Sequence, residues 1–129
     1  MDKLTFTMEN YLEAVYELSR EEGSARLTDV AARMAVTKST ANAAMSILAE
    51  KGLLINEKYQ QIQLTEAGLK IAGIVSEKHH IIQRFLSEIL KIDSATADTD
   101  ACAIEHVISH KSVAAMGDFL RDFSKNRLI

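Results

Sequence analysis

Apolar residues recur at near-helical spacing from Thr7 to Arg20, at Met8, Leu12, Val15, Tyr16 and Leu18, with Tyr11 on the flank. That period predicts a first helix, and Gly23 marks its end. Asn10, Glu13 and Glu17 stand at i, i+3 and i+7 on a different side of it. "LTDVAARM" predicts a short second helix with Thr28 as its N-cap. "AVTKST" breaks the pattern. A third helix follows from about Ser39 to Lys51, with Ala43, Ile47 and Leu48 facing inward and Gly52 just past its end.

The period then changes. In "LLINEK–YQQ–IQLT", Ile62 and Leu64 alternate with Gln61, Gln63 and Thr65, which predicts a two-stranded hairpin with one buried face. Thr65 can cap a long helix through Leu90, whose apolar stripe includes Ile71, Ile74, Val75, Ile81, Ile82, Phe85, Leu86, Ile89 and Leu90. "KIDSATAD" reads as a turn, followed by a fifth helix over about 101–110 and a sixth over about 112–123. The order helix, helix, turn, helix, hairpin is that of a winged helix-turn-helix. The expected fold is therefore mostly α, with a winged helix-turn-helix DNA-binding domain at 1–68 and an all-helical domain at 69–129.

Composition narrows this picture. With no proline and five glycines in 129 residues, the chain has few helix breakers. A net charge of −3 argues against coating nucleic acid by bulk charge, but leaves room for a local basic surface. Arg33, Lys38, Lys51 and Lys58 against Glu50 and Glu57 make the central stretch net positive. No apolar run reaches the roughly 20 residues of a membrane helix. No secretory signal opens the chain, and one cysteine cannot form an internal disulfide. The expected compartment is the cytoplasm, and no membrane or small organic substrate is expected as a partner.

If the third helix reads DNA, its first residues reach base edges while neighbours hold phosphates. Those residues are Thr37, Lys38, Ser39, Thr40 and Asn42, with Lys58, Tyr59 and Gln60 at the hairpin tip as backbone contacts. Thr37 serves equally as an N-cap, and Asn42 as an ordinary solvated residue.

"DACAIEHVISH", residues 100–110, holds the only cysteine. At about 100° per helical residue, with Cys102 at zero, Glu105 falls near 300° and His106 near 40°. Ile104, Val107 and Ile108 fall between roughly 140° and 240° by the same rule. A thiolate, a carboxylate and an imidazole on one face can converge on a cation. The same three residues also fit a small core filler beside two exposed polar groups. His79 lies on the side of Val75, Ile82 and Leu86 and is preferred as a further donor; His80 lies on the polar side. An inward histidine is also commonly a hydrogen-bonded core residue. Asn10 and Glu13 offer oxygen donors one turn apart, or belong to an exposed helix face.

"TMENYLEAVYEL", "GLLINEKYQQIQLTEAG", "KHHIIQRFL" and above all "DACAIEHVIS" resemble the diphtheria toxin repressor and manganese transport regulator family of metal-dependent repressors. The resemblance covers nearly the whole chain, in a short form expected to lack the SH3-like domain of longer members. It implies a homodimeric repressor, with two reading heads on a palindromic double-stranded operator and Fe²⁺ or Mn²⁺ as co-repressor. It carries the metal ligands onto Asn10, Glu13, His79, Cys102, Glu105 and His106. Asn10 departs from the Met of the iron branch and the Asp of the manganese branch. Cys102 follows the iron branch and Glu13 the manganese branch. A secondary site of the iron branch meets Gln83 and Asp98 here, so it is altered.

Thiolate softness places Fe²⁺ first and Mn²⁺ next, with Zn²⁺, Co²⁺ or Ni²⁺ able to fill such a site in vitro. A regulator that answers a non-metal signal, such as thiol oxidation at Cys102, is the alternative. No nucleophile elbow, phosphate loop or HExxH accompanies the cluster, so an enzyme is not expected.

Overall fold

The structure is a computed structural model that describes residues 4–56 and 61–127. The chain divides into two compact units, Met1–Ile74 and Val75–Ile129.

In the first unit α1 (Phe6–Glu22), α2 (Leu27–Met34) and α3 (Lys38–Glu50) pack around one core. Leu12, Val15, Val30, Met45, Leu48 and Ile62 form its centre. Thr5 caps α1, accepting from the Met8 amide at 3.1 Å, and Gly23 closes it at φ 82°. Such a left-handed angle suits glycine. Thr28 does not cap α2. Arg26, in extended conformation, precedes the helix with no side-chain cap, and Thr28 lies inside the first turn. The cause is a short strand, β1 (Ala25–Arg26), that feeds directly into α2.

β2 (Leu54–Asn56) and β3 (Gln61–Leu64) form the expected hairpin, with Leu54 opposite Leu64 and Asn56 opposite Ile62. β1 adds to its other side, giving the order β1-β3-β2. A two-residue strand has no readable period, so only the hairpin was visible in the sequence. Ile62 is buried and Leu64 half-buried, as the alternation required.

The turn between α2 and α3 is tight. Ala35 adopts φ 56°, and the Val36 amide donates to the Ala31 carbonyl at 3.0 Å. The end of α3 is a Schellman motif: the amides of Gly52 and Leu53 donate to the carbonyls of Ala49 and Leu48, both at 3.0 Å. The buried stripe of α3 is Ala41, Ala44, Met45 and Leu48. Leu48 faces the core as expected; Ala43 is exposed and Ile47 is 42% exposed. Met45 fills the place that Ile47 was expected to take.

Thr65 caps α4 (Glu66–Arg84), accepting from the Gly68 amide at 3.1 Å while its hydroxyl donates to the Gly52 carbonyl at 2.7 Å. The second unit contains the last turns of α4, a π-helical turn at Phe85–Ile89, α5 (Ser94–Ile104) and α6 (His110–Arg127). The long helix therefore does not run as plain α-helix to Leu90. After the π turn, Lys91 at φ 61° reverses the chain. "KIDSATAD" is no turn either: Asp93 accepts from the Thr96 amide at 3.0 Å and starts α5 seven residues before the expected Ala101. The core of this unit is small, centred on Ile82, Ala101 and Val113. Leu90, Ile92, Val107 and Phe119 remain exposed. No described helix is long and apolar enough to cross a membrane.

Candidate metal centre and reading face

His79 lies on α4, Asp98 and Cys102 on α5, and Glu105 at the α5 C-cap. Asp98 and Cys102 are one helical turn apart, and Glu105 keeps helical torsions (φ −57°, ψ −26°). The face expected from helical spacing therefore survives the early end of α5. His79 Nδ1 lies 3.1 Å from Glu105 Oε1 and 3.7 Å from Cys102 Sγ. His79 Nε2 lies 2.8 Å from Asp98 Oδ1. His79, Asp98 and Cys102 offer donor atoms within 4.8 Å of one another. The sequence placed Asp98 only in an altered secondary site with Gln83, whereas the structure brings it to His79 and Cys102. Its signal was its place one turn before Cys102, hidden because that segment read as a turn.

Burial reverses one expectation. Glu105 is 2% exposed and His106 9%, while Val107 is 69% exposed. The polar pair faces inward and the valine outward, so these are not surface side chains beside an aliphatic core face. Glu105 Oε2 is buried with no hydrogen-bond partner. A buried carboxylate oxygen without a partner is costly unless a cation meets it. Between Nδ1 and Glu105 Oε1 at 3.1 Å there must also stand either a proton or a metal, since two lone pairs would repel. A carboxylate, an imidazole and a thiol with an interior oxygen unfilled fit a divalent transition metal. His106 shares this buried segment. Asn10 and Glu13 stand half-buried on α1, one turn apart.

On the reading head, Thr37 is engaged as the N-cap of α3: its Oγ1 accepts from the Thr40 amide at 3.1 Å and donates to Thr40 Oγ1 at 3.0 Å. Lys38, Ser39, Thr40 and Asn42 are all exposed at the start of α3. Asn56 of β2 donates to Asn42 Oδ1 at 3.5 Å, which ties the reading helix to the hairpin. Ala43 and Ile47 extend the exposed side of α3. Lys58, Tyr59 and Gln60 lie outside the described residues.

A helix-turn-helix head with a paired hairpin, followed by a helical unit that gathers a half-buried imidazole, a buried carboxylate and an exposed thiol, belongs to the class of metal-dependent DNA-binding regulators. The chain belongs to the iron-dependent repressor family: residues 3–62 match its N-terminal DNA binding domain and residues 65–127 its metal binding and dimerisation domain. It is 34% identical over 122 residues to the HTH-type transcriptional regulator MntR of Bacillus subtilis (strain 168), covering 95% of this chain and 85% of that protein. Among solved structures it resembles the manganese regulator SloR, with 26% identity, a TM-score of 0.77 and 88% of this chain covered. It also shares its fold with T. acidophilum IdeR, at 22% identity, a TM-score of 0.79 and 93% coverage. The chain spans about half the length of these two structures, 53% and 55%.

Proposed function

We propose that this chain is a cytoplasmic, metal-dependent repressor that binds a palindromic operator as a homodimer, and that it is a binding protein rather than an enzyme. The observation that carries the reading is the buried Glu105, with one oxygen beside His79 Nδ1 and the other without a partner. His79, Cys102, Glu105 and His106 would hold the ion from the helical half, and Asn10 or Glu13 would join them from α1. The ion would meet the buried Glu105 oxygen that has no hydrogen-bond partner. Its binding would then favour whichever arrangement of the reading head lets α1 reach the shell, and only to the extent that it binds that arrangement more tightly.

Mn²⁺ now stands ahead of Fe²⁺, reversing the order that the thiol alone suggested. The solved relative SloR is named a manganese regulator, and the carboxylates of Glu13 and Glu105 are oxygen donors that suit Mn²⁺. The division of labour would fall near residues 68 and 69.

The exposed apolar surface of the second unit, around Leu90, Ile92 and Phe119, supports dimerisation. Phe85, Phe119 and Phe123 form an aromatic row there, with centroids 5.9 Å and 6.4 Å apart. On the head, Ser39, Thr40 and Asn42 would offer hydroxyls and an amide to the major groove. Lys38 would hold phosphate, and Ala43 would meet thymine methyl groups. Lys58 and Tyr59 would contact the neighbouring backbone.

The test is selection from a random duplex pool by the whole protein with Mn²⁺, with anaerobic Fe²⁺ and with chelator. We expect enrichment of an inverted repeat, with half-sites roughly 34 Å apart, only when metal is present. Glu105→Ala with His106→Ala should remove the metal response. The same enrichment in chelator would sink the reading.

A further inference from the structure

We infer that Asp98 is a positioning residue: it holds the Nε2–H of His79, so that Nδ1 is the nitrogen turned to the metal. This rests on the metal-binding reading above and deepens it.

The two nitrogens of an imidazole point away from each other, so one ion can take only one of them. Here they face different groups. Nδ1 faces Glu105 Oε1 at 3.1 Å and Cys102 Sγ at 3.7 Å, and Nε2 faces Asp98 Oδ1 at 2.8 Å. Burial separates the two ends. The Glu105 side chain is fully buried and the Asp98 side chain 59% exposed. The oxygen in need of a cation, Glu105 Oε2, is on the Nδ1 side. Water can satisfy Asp98 but not Glu105.

A carboxylate only accepts, so Asp98 keeps a proton on Nε2. With that proton fixed, Nδ1 is the nitrogen that can exchange its own proton for a metal. A carboxylate on the far nitrogen of a ligating histidine fixes the ring and its tautomer and raises its basicity. The start of α5 at Ser94 makes this possible, because it puts Asp98 and Cys102 on one face, each serving a different nitrogen.

The competing arrangement places the ion at Nε2 with Asp98 and Cys102 as ligands, and the experiment separates the two. The whole protein, labelled with ¹⁵N-histidine, is loaded with Zn²⁺ and its imidazole nitrogens are assigned by long-range ¹H–¹⁵N correlation. We expect His79 to carry its proton on Nε2 and the metal on Nδ1. Mn²⁺ titration calorimetry should show affinity falling about 10–100-fold in Asp98→Ala with the number of ions per chain unchanged. Asp98→Asn, which still accepts from Nε2–H, should fall between.

A metal found on Nε2, or loss of one whole ion from Asp98→Ala, would overturn the assignment. So would an unchanged affinity in Asp98→Ala. If the unaltered protein binds neither Mn²⁺ nor Zn²⁺, the functional reading itself falls, and this inference with it.

Discussion

The carbonyl oxygen of Leu53 occupies the space beside Gly68: a Cβ placed on that glycine would lie 1.8 Å from it. Gly68 sits in the first turn of α4, where alanine is ordinarily worth about 1 kcal/mol over glycine. Here the clash is with backbone, which cannot rotate aside, and the steric effect wins. Gly68→Ala should destabilise the protein by roughly 2–3 kcal/mol, the upper part of the overpacking range. Gly73, in the same helix, has only Tyr16 Oη at 3.9 Å from the same construction. Gly73→Ala should therefore stabilise by about 0.5–1 kcal/mol. Urea unfolding of the two variants checks this, and midpoints that move in the same direction would refute the close approach.

Of the two roles that the sequence offered for Thr37, N-cap and DNA contact, the structure shows the cap. Its Oγ1 already accepts from the Thr40 amide, so its contribution to folding does not depend on DNA. Thr37→Ala should cost about 1 kcal/mol of stability in the absence of DNA, and Thr37→Ser should restore it. Thermal unfolding of the free protein measures both. A Thr37→Ala variant of unchanged stability but weaker operator binding would make Thr37 a DNA contact alone.

The head was legible because its signals are local. Gly23 and Gly52 stop helices at positive φ, Thr65 starts one, and Ile62 alternates with glutamines in the hairpin. The errors arose where tertiary contacts decide. β1 exists only through its pairing with β3. On α3 both Met45 and Ile47 are apolar, and only packing selects Met45 for the core. In the second half, "KIDSATAD" is polar enough to resemble a turn, yet Asp93 makes it the start of α5. That one boundary concealed that Asp98 stands on the same helix as Cys102, one turn before it. The burial of Glu105 and His106, with Val107 outside, defies hydrophobic order, so no local apolar pattern announces it.

The cap on α5 should be sensitive to acid. The backbone hydrogen bond from Thr96, followed by the one from its side chain, holds the Asp93 carboxyl below its usual range. A depressed folded pKa means a contribution that is present above the unfolded carboxylate pKa and is lost as pH falls through the folded one. Asp93→Asn still accepts the hydrogen bond but does not titrate. The stability difference between the two proteins, followed by denaturant unfolding, should therefore shift in favour of Asp93→Asn as the solution is acidified below the carboxylate range. A difference that stays constant with pH would mean that the Asp93 charge plays no part in capping α5.

Glu105 should make the stability of the protein depend on metal. A ligand that binds only the folded state stabilises it by about 2.7 kcal/mol at 100 times its Kd. Unfolding in excess Mn²⁺ should therefore show a gain of that order, and chelator should abolish it. Glu105→Gln keeps an oxygen that can accept from His79 Nδ1–H, so the metal-free variant should unfold within about 1 kcal/mol of the original protein. It loses the negative charge that a cation would meet in the interior, so its gain with Mn²⁺ should disappear. Comparing the two proteins with and without metal separates a lost ligand from a lost fold. A variant that folds but no longer responds identifies Glu105 as the interior anchor of the ion, whereas an equal response in both would leave its buried, unpartnered Oε2 without a metal to explain it.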